Sequence, residues 1–345
     1  MKKVLFISEY LNPPYDEGIK KTVYNLYKEL NENFELKVIT RYGFPSKNVI
    51  SVRTNKLFLS RTIQKEISTF RPDTIIYLPF QSSTFASYLR LKVLSLLGGK
   101  ASLLFIALQP KPLKKWQRLL LPLLRPSFAF TPSLTLSEFW NSKGIPNHLI
   151  PLLTDLNEFK PAIGGDDKNL LREKYQLPKN KFIISHMGHL NKGRNLTSLI
   201  PLQNDEIQVV VVGSSSTPED AKEKSSLRNE LISAGIIIVE RYIEKIQEIY
   251  QLSDLYIFPV NEENSSIGMP LSILEARACG TPVLTTDYGS IKAYLGNDRG
   301  GIFYSSSEKF NETLTDIKSV LDSNFTKTEV QNLNQEFYST IFSKI

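Results

Sequence analysis

The sequence predicts an α/β protein with two domains, each built on a parallel sheet. Strand-like apolar runs alternate with helix-like segments in both halves of the chain, which is typical of parallel α/β sheets. A length of 345 residues gives room for two domains of ordinary size. Residues 150–161 and the polar residues 164–169 separate the two series and form the predicted linker.

The predicted strands are short apolar runs rich in β-branched residues. In the first half they span residues 4–8, 36–40, 74–78, 102–107 and 128–131. In the second half they span residues 182–186, 208–212, 236–239, 255–260 and 283–286. Residues 20–30 have helical spacing, and residues 329–342 are also amphipathic.

Composition indicates an ordinary globular protein. Hydrophobic residues make up 41% of the chain and charged residues 22%. The one cysteine, Cys279, excludes an internal disulfide and fits a reducing compartment. The apolar run at residues 2–8 is too short for a signal peptide, and no apolar run reaches the ~18 residues that span a bilayer. We therefore expect a cytoplasmic protein.

The net charge of +7 is partly local, because residues 90–125 contain eight Lys or Arg and no acidic residue. Within this stretch, residues 110–125 combine cations, Trp116 and a leucine run, which fits two interpretations. The segment lies on an anionic membrane at the inner face of the cell membrane, or its leucines pack on the sheet while the cations point outward. Pro112 and Pro122 restrict a long interfacial helix and favour the second interpretation. A nucleic-acid partner is not predicted, since only the charge supports one.

Residues 266–283 carry the most specific pattern in the chain. Pro270 suits the first turn of a helix, and Gly280 suits the position after its end. The amides of Gly268, Met269 and Leu271 are predicted to form an anion-receptive helix start, with Glu275 one turn further on. Such a site suits a phosphorylated ligand that carries hydroxyl groups, as a nucleotide-sugar does.

This segment resembles the donor-site signature of family 4 glycosyltransferases, which are retaining enzymes with the GT-B fold. The signature is a Glu, seven residues, a second Glu, and then Ala, any residue, Ala, Cys or Ala, Gly, any residue, Pro and Val. The chain keeps the second half of it from Glu275 to Val283 and has Ile267 where the first Glu belongs. In the family the second Glu holds the ribose of the nucleotide, and the first lies near the transferred sugar.

The resemblance implies two Rossmann-like domains that face each other across a cleft. Residues 1–155 would form the acceptor-side domain, and residues 156–325 the donor-side domain. Residues 326–345 would form a helix that packs back on the N-terminal domain. In the linker, Asp155 and Phe159 keep the places that they have in the family's interdomain segment.

The resemblance also implies the catalytic cations. After the first strand of the donor-side domain the family places Gly-Arg-Leu and then Lys-Gly, and these cations grip the donor diphosphate. The chain has Gly188-His189-Leu190 there, followed by Lys192 and Arg194. Positive charge stabilises the leaving diphosphate, so Lys192 and Arg194 are the predicted catalytic residues. The sequence leaves open which of them faces the phosphate.

Further positions follow from the same resemblance. Gly18, Gly188 and Gly213 are predicted to let the backbone approach the donor, together with Gly268, Met269, Leu271 and Glu275. Glu17 stands where the family usually has another glycine, and Gln109 stands where it has a His near the donor sugar. Both are acceptor-side candidates.

The predicted function is retaining, metal-independent transfer of a sugar from a UDP- or GDP-sugar to a saccharide or lipid-linked acceptor. Such an enzyme takes part in cell-surface glycan or glycolipid synthesis. The three histidines have no metal-ligand partner at useful spacing, and no metal or other cofactor is expected. The alternative is an inactive GT-B protein that binds a nucleotide-sugar or assists assembly. It is motivated by Glu17, Gln109, His189 and Ile267 at positions where the family has other residues.

Overall fold

The computed structural model describes residues 1–55, 57, 60–162, 165–213, 221–262, 265–296, 301–320 and 328–345. The chain divides into two compact units. Unit 1 comprises Met1–Leu153, Ile267–Met269 and Asn334–Ile345, and unit 2 comprises Thr154–Ser266 and Pro270–Leu333. Gly164 of the predicted linker and residues 326–327 of the predicted C-terminal segment lie outside the described residues.

The described part of unit 1 contains a seven-stranded sheet with parallel neighbours, in the order β5-β3-β1-β6-β7-β8-β9. Two further short strands, β2 and β4, pair with each other. The strands of unit 1 are β1 (Lys3–Ile7), β2 (Tyr10–Leu11), β3 (Glu35–Thr40), β4 (Tyr42–Gly43), β5 (Val49–Ser51), β6 (Thr74–Tyr77), β7 (Ser102–Ile106), β8 (Phe128–Thr131) and β9 (Asn147–Leu149).

The described part of unit 2 contains a six-stranded parallel sheet in the order β12-β11-β10-β13-β14-β15. Its strands are β10 (Phe182–Gly188), β11 (Ile207–Gly213), β12 (Ile237–Val239), β13 (Leu255–Phe258), β14 (Val283–Thr285) and β15 (Ile302–Tyr304). Because the strands are parallel, their carboxyl ends meet at one edge of each sheet, where α/β proteins bind ligands.

Helices connect the strands in both units. Those of unit 1 are α1 (Gly18–Asn33), α2 (Arg61–Phe70), α3 (Phe85–Gly98), α4 (Lys115–Leu120) and α5 (Leu134–Asn141). Those of unit 2 are α6 (Gly165–Lys174), α7 (Ala221–Ser233), α8 (Gln247–Leu252), α9 (Leu271–Ala278), α10 (Ile291–Leu295) and α11 (Phe310–Val320). The last helix is α12 (Thr328–Phe342), and 3-10 turns span Leu121–Leu124, Lys192–Arg194, Leu196–Leu202 and Ser307–Lys309.

The predicted α/β class with two Rossmann-like units is confirmed, and each predicted strand is present within a few residues. The prediction that residues 165–169 belong to a polar linker is wrong, because they begin α6. The sequence analysis missed β2, β4, β5, β9 and β15. Of these, β5, β9 and β15 lie at sheet edges, where a strand pairs on one side and needs fewer apolar residues.

The C-terminal helix packs on unit 1 through its last residues. The side chain of Lys2 donates to the carbonyl of Ile345 at 2.9 Å. The ring of Phe342 meets the ring of Phe34 edge-on, with 5.1 Å between the centroids. The amphipathic pattern at residues 329–342 therefore corresponds to a helix whose C-terminal part belongs to unit 1.

The basic, leucine-rich segment forms α4 and the 3-10 turn that follows it. Leu121 and Leu124 are buried, as inward packing of the leucines requires. The same expectation is wrong for Leu119 and Leu123, which are 79% and 69% exposed. None of the described helices is both long and apolar enough to cross a membrane.

A nearly buried ion pair joins the residues between β1 and β2 to α3 in unit 1. Arg90 Nη1 lies 2.7 Å from Glu9 Oε1, and the two side chains are only 12% and 13% exposed. The backbone N–H of Phe80 donates to Glu9 Oε2 at 2.8 Å, and the Tyr77 hydroxyl donates to Glu9 Oε1 at 3.2 Å. Because the pair is desolvated, each partner depends on the other for compensation of its charge.

Replacing Arg90 with Met should lower the free energy of unfolding by about 3 kcal/mol, because it leaves the Glu9 carboxylate buried without its cation. Urea unfolding of both proteins measures the effect. The control is Lys179→Ala, which breaks the exposed pair with Glu173 and should cost less than about 1 kcal/mol. Equal losses in the two variants would contradict the assignment of a desolvated pair.

Candidate functional site

The signature helix α9 follows β13 in unit 2, and all of its residues except Ser272 are buried. Pro270 occupies the position just before the first helical residue, one place earlier than predicted. The helix ends at Ala278, Cys279 caps it, and Gly280 follows with a φ of +79°, a conformation that favours glycine. Ala276 and Ala278 are fully buried. The local pattern thus produces the short, tightly packed helix that the sequence predicts.

Glu275 is held by a tyrosine in the interior of unit 2. Glu275 is only 5% exposed, and the Tyr250 hydroxyl donates to its Oε2 at 2.7 Å. Burial, reinforced by the charge of Glu275, raises the pKa of Tyr250 well above its usual value. The phenol therefore stays protonated as a donor, and it fixes the orientation of the carboxylate.

The amide of Gly268 is engaged, contrary to the prediction that it is free to bind an anion. It donates to the carbonyl of Leu108 at 3.4 Å, a long hydrogen bond. A Cβ at this position would lie 2.9 Å from Ser133 Cβ and 3.0 Å from Ser133 Cα. Glycine is needed here because the backbone of Ser133 comes close, which is a packing reason. Met269 and Leu271, whose amides are the other two predicted donors, are 0% and 4% exposed.

Ile267 replaces the first Glu of the signature with a buried aliphatic contact. The residue is 7% exposed, and its Cδ1 would lie 3.3 Å from a Cβ built on Gly18. The predicted donor-binding Gly18, at the start of α1, thus faces Ile267 within unit 1. Because Gly18 has no side chain, Ile267 can pack against it.

The predicted catalytic cations lie on one 3-10 turn after β10. Asn191 begins this turn, and its Oδ1 accepts from the backbone N–H of Arg194 at 3.2 Å. Arg194 is half-buried, and its Nη1 donates to Ser266 Oγ at 3.3 Å, whereas Lys192 is exposed. A Cβ on Gly193 would collide with Ser265 Oγ, so glycine lets the turn lie against the loop after β13. Arg194 is therefore fixed beside Ser266, the first residue of the signature segment 266–283.

Gly188 and Gly213, two predicted donor-binding glycines, end β10 and β11 and lie opposite each other in register. A Cβ on Gly188 would lie 3.1 Å from His186 Nε2 and 3.5 Å from Arg194 Cζ. Glycine at 188 thus leaves space between an imidazole and a guanidinium group. His189, which replaces the family's Arg, is half-buried. The polar turn after Gly213 lies outside the described residues.

His186 is a residue of this site that the sequence analysis did not assign a role. It is 0% exposed, and its Nδ1 lies 2.9 Å from the carbonyl oxygen of Ile257 on the neighbouring strand. Burial, assisted by the charge of Arg194, lowers the pKa of His186 to about 3. The neutral ring must carry its proton on Nδ1, because a carbonyl only accepts. Nε2 is therefore a buried acceptor, and no hydrogen-bond donor among the described residues reaches it. The sequence signal that could have pointed to His186 is a polar side chain near the end of an apolar strand.

The two acceptor-side candidates both lie in unit 1. Glu17 directly precedes α1, and burial raises the pKa of its carboxyl, an effect that nearby Lys20 partly offsets. The side-chain oxygen of Gln109 accepts from Lys111 Nζ at 2.8 Å, and its carbonyl accepts from Ser82 Oγ and Ser83 Oγ at 2.7 and 2.8 Å. Burial lowers the pKa of Lys111. Gln109 is thus held rigidly at the end of β7, and the roles of both candidates stay predictions.

Known proteins resemble about half of the chain in sequence. Residues 167–334 match the family described as Glycosyl transferases group 1. The D-inositol 3-phosphate glycosyltransferase of Xylanimonas cellulosilytica is 27% identical over 163 residues, which is 45% of this chain and 38% of that protein. The alpha-maltose-1-phosphate synthase of Mycolicibacterium smegmatis is 28% identical over 165 residues, which is 45% of this chain and 41% of that protein.

A third relative is the UDP-Gal:alpha-D-GlcNAc-diphosphoundecaprenol alpha-1,3-galactosyltransferase of Escherichia coli. It is 27% identical over 203 residues, which is 54% of this chain and 46% of that protein. In each of these three comparisons the matched stretch spans less than half of the relative's length.

Solved structures resemble the chain over almost its whole length. The Anabaena protein Alr3699/HepE, in a complex with UDP-glucose, has a TM-score of 0.77 at 16% identity, with 99% of this chain and 100% of that chain covered. Sucrose-phosphate synthase from Thermosynechococcus elongatus has a TM-score of 0.74 at 14% identity, with coverages of 99% and 96%. The fold of the chain is therefore that of the GT-B glycosyltransferases, with a segment in unit 2 similar to the Glycosyl transferases group 1 family.

Replacing His186 with Phe should flatten the loss of stability at acid pH. In the wild type the unfolded chain takes up a proton below about pH 6.5, while folded His186 stays neutral down to pH about 3. The free energy of unfolding therefore falls by up to about 1.4 kcal/mol per pH unit as the pH drops through this window. His186→Phe removes that contribution, although it lowers stability at neutral pH by leaving the Ile257 carbonyl unpaired.

Urea unfolding at intervals between pH 7 and pH 4 measures the slope for each protein. The matched control is His148→Phe, which changes an exposed histidine of unit 1. If His148→Phe and His186→Phe flatten the acid slope equally, the assignment of His186 as the buried neutral histidine is wrong.

Proposed function

We propose that the chain is a retaining glycosyltransferase that moves a sugar from a nucleotide-sugar donor to a saccharide or lipid-linked acceptor. The observation that carries the proposal is the arrangement in unit 2 of a buried carboxylate on α9 and a fixed guanidinium next to Ser266. A carboxylate suits ribose hydroxyls, and a guanidinium suits a diphosphate. The resemblance of residues 167–334 to Glycosyl transferases group 1 supports it.

In the proposed complex, unit 2 binds the nucleotide part of the donor. Glu275 accepts hydrogen bonds from the ribose hydroxyls, in an orientation that Tyr250 fixes. Arg194, and Lys192 from the same turn, contact the diphosphate, and Gly188 and Gly213 let the backbone approach it. Because these side chains can supply the positive charge, the proposed transfer is metal-independent.

The proposed transfer retains the configuration of the anomeric carbon. The acceptor hydroxyl oxygen forms a bond to that carbon on the face that the diphosphate leaves. The bond between the carbon and the phosphate oxygen breaks, and the acceptor proton moves to the departing phosphate. No protein base takes part in this scheme, so Ile267 in place of the first Glu does not prevent it. Glu17 and Gln109 are the proposed contacts to acceptor hydroxyls.

A UDP-hexose is the first donor to test. The Escherichia coli relative is named for UDP-Gal, and the Anabaena protein was solved with UDP-glucose. GDP-sugars are the second choice. Among the relatives, an alpha-galactosylglucosyldiacylglycerol synthase from Streptococcus pneumoniae and the Escherichia coli enzyme are named for lipid-linked products or acceptors. They support a role in cell-surface glycan or glycolipid synthesis.

An inactive nucleotide-sugar-binding protein is the second candidate, and Ile267 favours it. The residue is buried against Gly18, so an aliphatic side chain occupies the position from which the family's carboxylate reaches the transferred sugar. A thermal-shift screen with UDP-glucose, UDP-galactose, GDP-mannose and ADP-glucose separates the candidates when each hit is followed by an assay for released nucleotide. Stabilisation with release of the nucleotide supports the enzyme. Stabilisation without release or transfer supports the binding protein, and no stabilisation contradicts both.

Glu275→Ala should weaken UDP binding about ten-fold or more, because hydrogen bonds to a charged acceptor are lost from the ribose. Isothermal titration calorimetry with UDP measures the effect and requires no knowledge of the sugar. Glu262→Ala, which removes an exposed carboxylate from the loop after β13, is the control and should leave UDP affinity unchanged. Glu263, the neighbouring carboxylate, lies outside the described residues. Equal losses in the Glu262 and Glu275 variants would mean that the signature is misaligned.

Arg194→Ala should lower turnover about 100-fold while the affinity for the UDP-hexose donor falls much less, because the additional negative charge on the leaving diphosphate develops only as the sugar bond breaks. Hydrolysis of the donor by water, followed as released UDP, measures turnover without a known acceptor. Arg241→Ala removes an exposed arginine of unit 2 and serves as the control. A loss confined to the affinity for the intact UDP-hexose would assign Arg194 to ground-state binding instead.

A further inference from the structure

The segment from Lys114 to Arg125 in unit 1 presents apolar side chains to solvent in a regular pattern. Trp116, Leu119, Leu120 and Leu123 are 53%, 79%, 39% and 69% exposed. Their spacing is i, i+3, i+4 and i+7, which places them on one side of the helical segment made by α4 and the following 3-10 turn. A helix of a globular protein normally turns such a stripe toward the core, so its exposure calls for an explanation.

The opposite side of the same segment is anchored in the core of unit 1. Leu121 and Leu124, together with Leu113 just before the segment, are 0%, 8% and 8% exposed and belong to a hydrophobic cluster of unit 1. The ring of Trp116 meets Phe85 edge-on, with 5.1 Å between the centroids. The exposed stripe is thus a fixed surface on a packed element.

All the charged residues of this segment are positive. Lys114, Lys115, Arg118 and Arg125 are exposed, and residues 90–125 contain no acidic residue. Arg90, in the same stretch, is neutralised by Glu9 and does not contribute to the surface charge. In the described part of the chain, none of the four exposed cations forms an ion pair with a carboxylate.

We propose that residues 114–125 dock unit 1 on an anionic lipid bilayer, with Trp116, Leu119, Leu120 and Leu123 inserted at the interface and the four cations among the lipid headgroups. Apolar insertion and attraction to anionic lipids are the two contributions that bind interfacial helices. Tryptophan suits the headgroup level because its ring is apolar with one polar N–H. The helical segment is far shorter than the ~20 residues that cross a bilayer, so it lies in the surface.

A second copy of the chain is a poorer occupant of the same surface. Two-fold pairing of this face with itself would bring four cations against four cations, which disfavours a symmetric dimer. An anionic bilayer provides negative headgroups for the four cations and an apolar interior for the exposed stripe. The proposal does not depend on the transfer reaction, since docking requires neither donor nor acceptor.

Tryptophan fluorescence tests the proposal directly because the chain has two tryptophans in different environments. Trp140 is fully buried, and its Nε1 donates to the Tyr88 hydroxyl at 2.7 Å, so a change in emission on binding reports Trp116. We expect a blue shift with vesicles of phosphatidylcholine containing about three-tenths phosphatidylglycerol, and none with phosphatidylcholine alone. Brominated acyl chains should quench the shifted emission, and Trp116→Phe should abolish the response.

Vesicle flotation gives the partition coefficient for each variant. Leu119→Ser and Leu123→Ser should each lower it about ten-fold, and Lys114→Gln with Lys115→Gln about twenty-fold. All four side chains are exposed, so these variants should keep the wild-type melting temperature. The matched control for the leucines is Leu170→Ser, which changes a 61% exposed leucine of unit 2 and should leave partitioning unchanged.

Three results would overturn the proposal. One is equal binding to neutral and anionic vesicles, and another is a loss in Leu170→Ser as large as that in Leu119→Ser. The third is the absence of vesicle binding together with a dimer, seen by light scattering, that Leu119→Ser dissociates. UDP binding by calorimetry is measured in the same variants, and its retention keeps failure of docking distinct from failure of the proposed donor site.

Discussion

The parallel pairing of β10 with its two neighbours is the constraint on which the candidate site in unit 2 depends. Pairing with β11 sets Gly188 opposite Gly213, and pairing with β13 brings the Ile257 carbonyl to His186 Nδ1. All three carboxyl ends reach one edge of the sheet, so the turn that carries Arg194 meets the loop that carries Ser266. A slip of one residue in this register would turn every side chain of β10 to the other face.

Two buried polar side chains of unit 2 each stay in one protonation state. Tyr250 remains a donor to Glu275 because burial keeps the phenol protonated, and His186 remains a neutral acceptor because burial and Arg194 disfavour its charging. The candidate site in unit 2 thus combines a carboxylate, an acceptor nitrogen and a guanidinium. The proposed chemistry needs no titrating protein group.

Two glycines that the sequence analysis assigned to donor binding have a packing role in the structure. Gly268 is small because Ser133 lies against it, and Gly18 leaves room for Ile267. Both glycines look like ligand-binding glycines in the sequence, and close packing also explains them. Glu275, in contrast, is a buried carboxylate whose orientation the Tyr250 hydroxyl helps to fix, as a binding role requires.

The α/β class, most of the strands and the ends of α9 can be predicted from the sequence, because they follow from local periodicity and from proline and glycine geometry. The edge strands β5, β9 and β15 and the start of α6 were not predicted, since short or half-exposed elements carry little periodic signal. Three properties became visible only in the folded chain: which glycines face side chains, that His186 is buried and neutral, and that Leu119 and Leu123 point outward. Those properties depend on contacts between residues far apart in the chain, and a local pattern of apolar residues has no direction until its helix is packed.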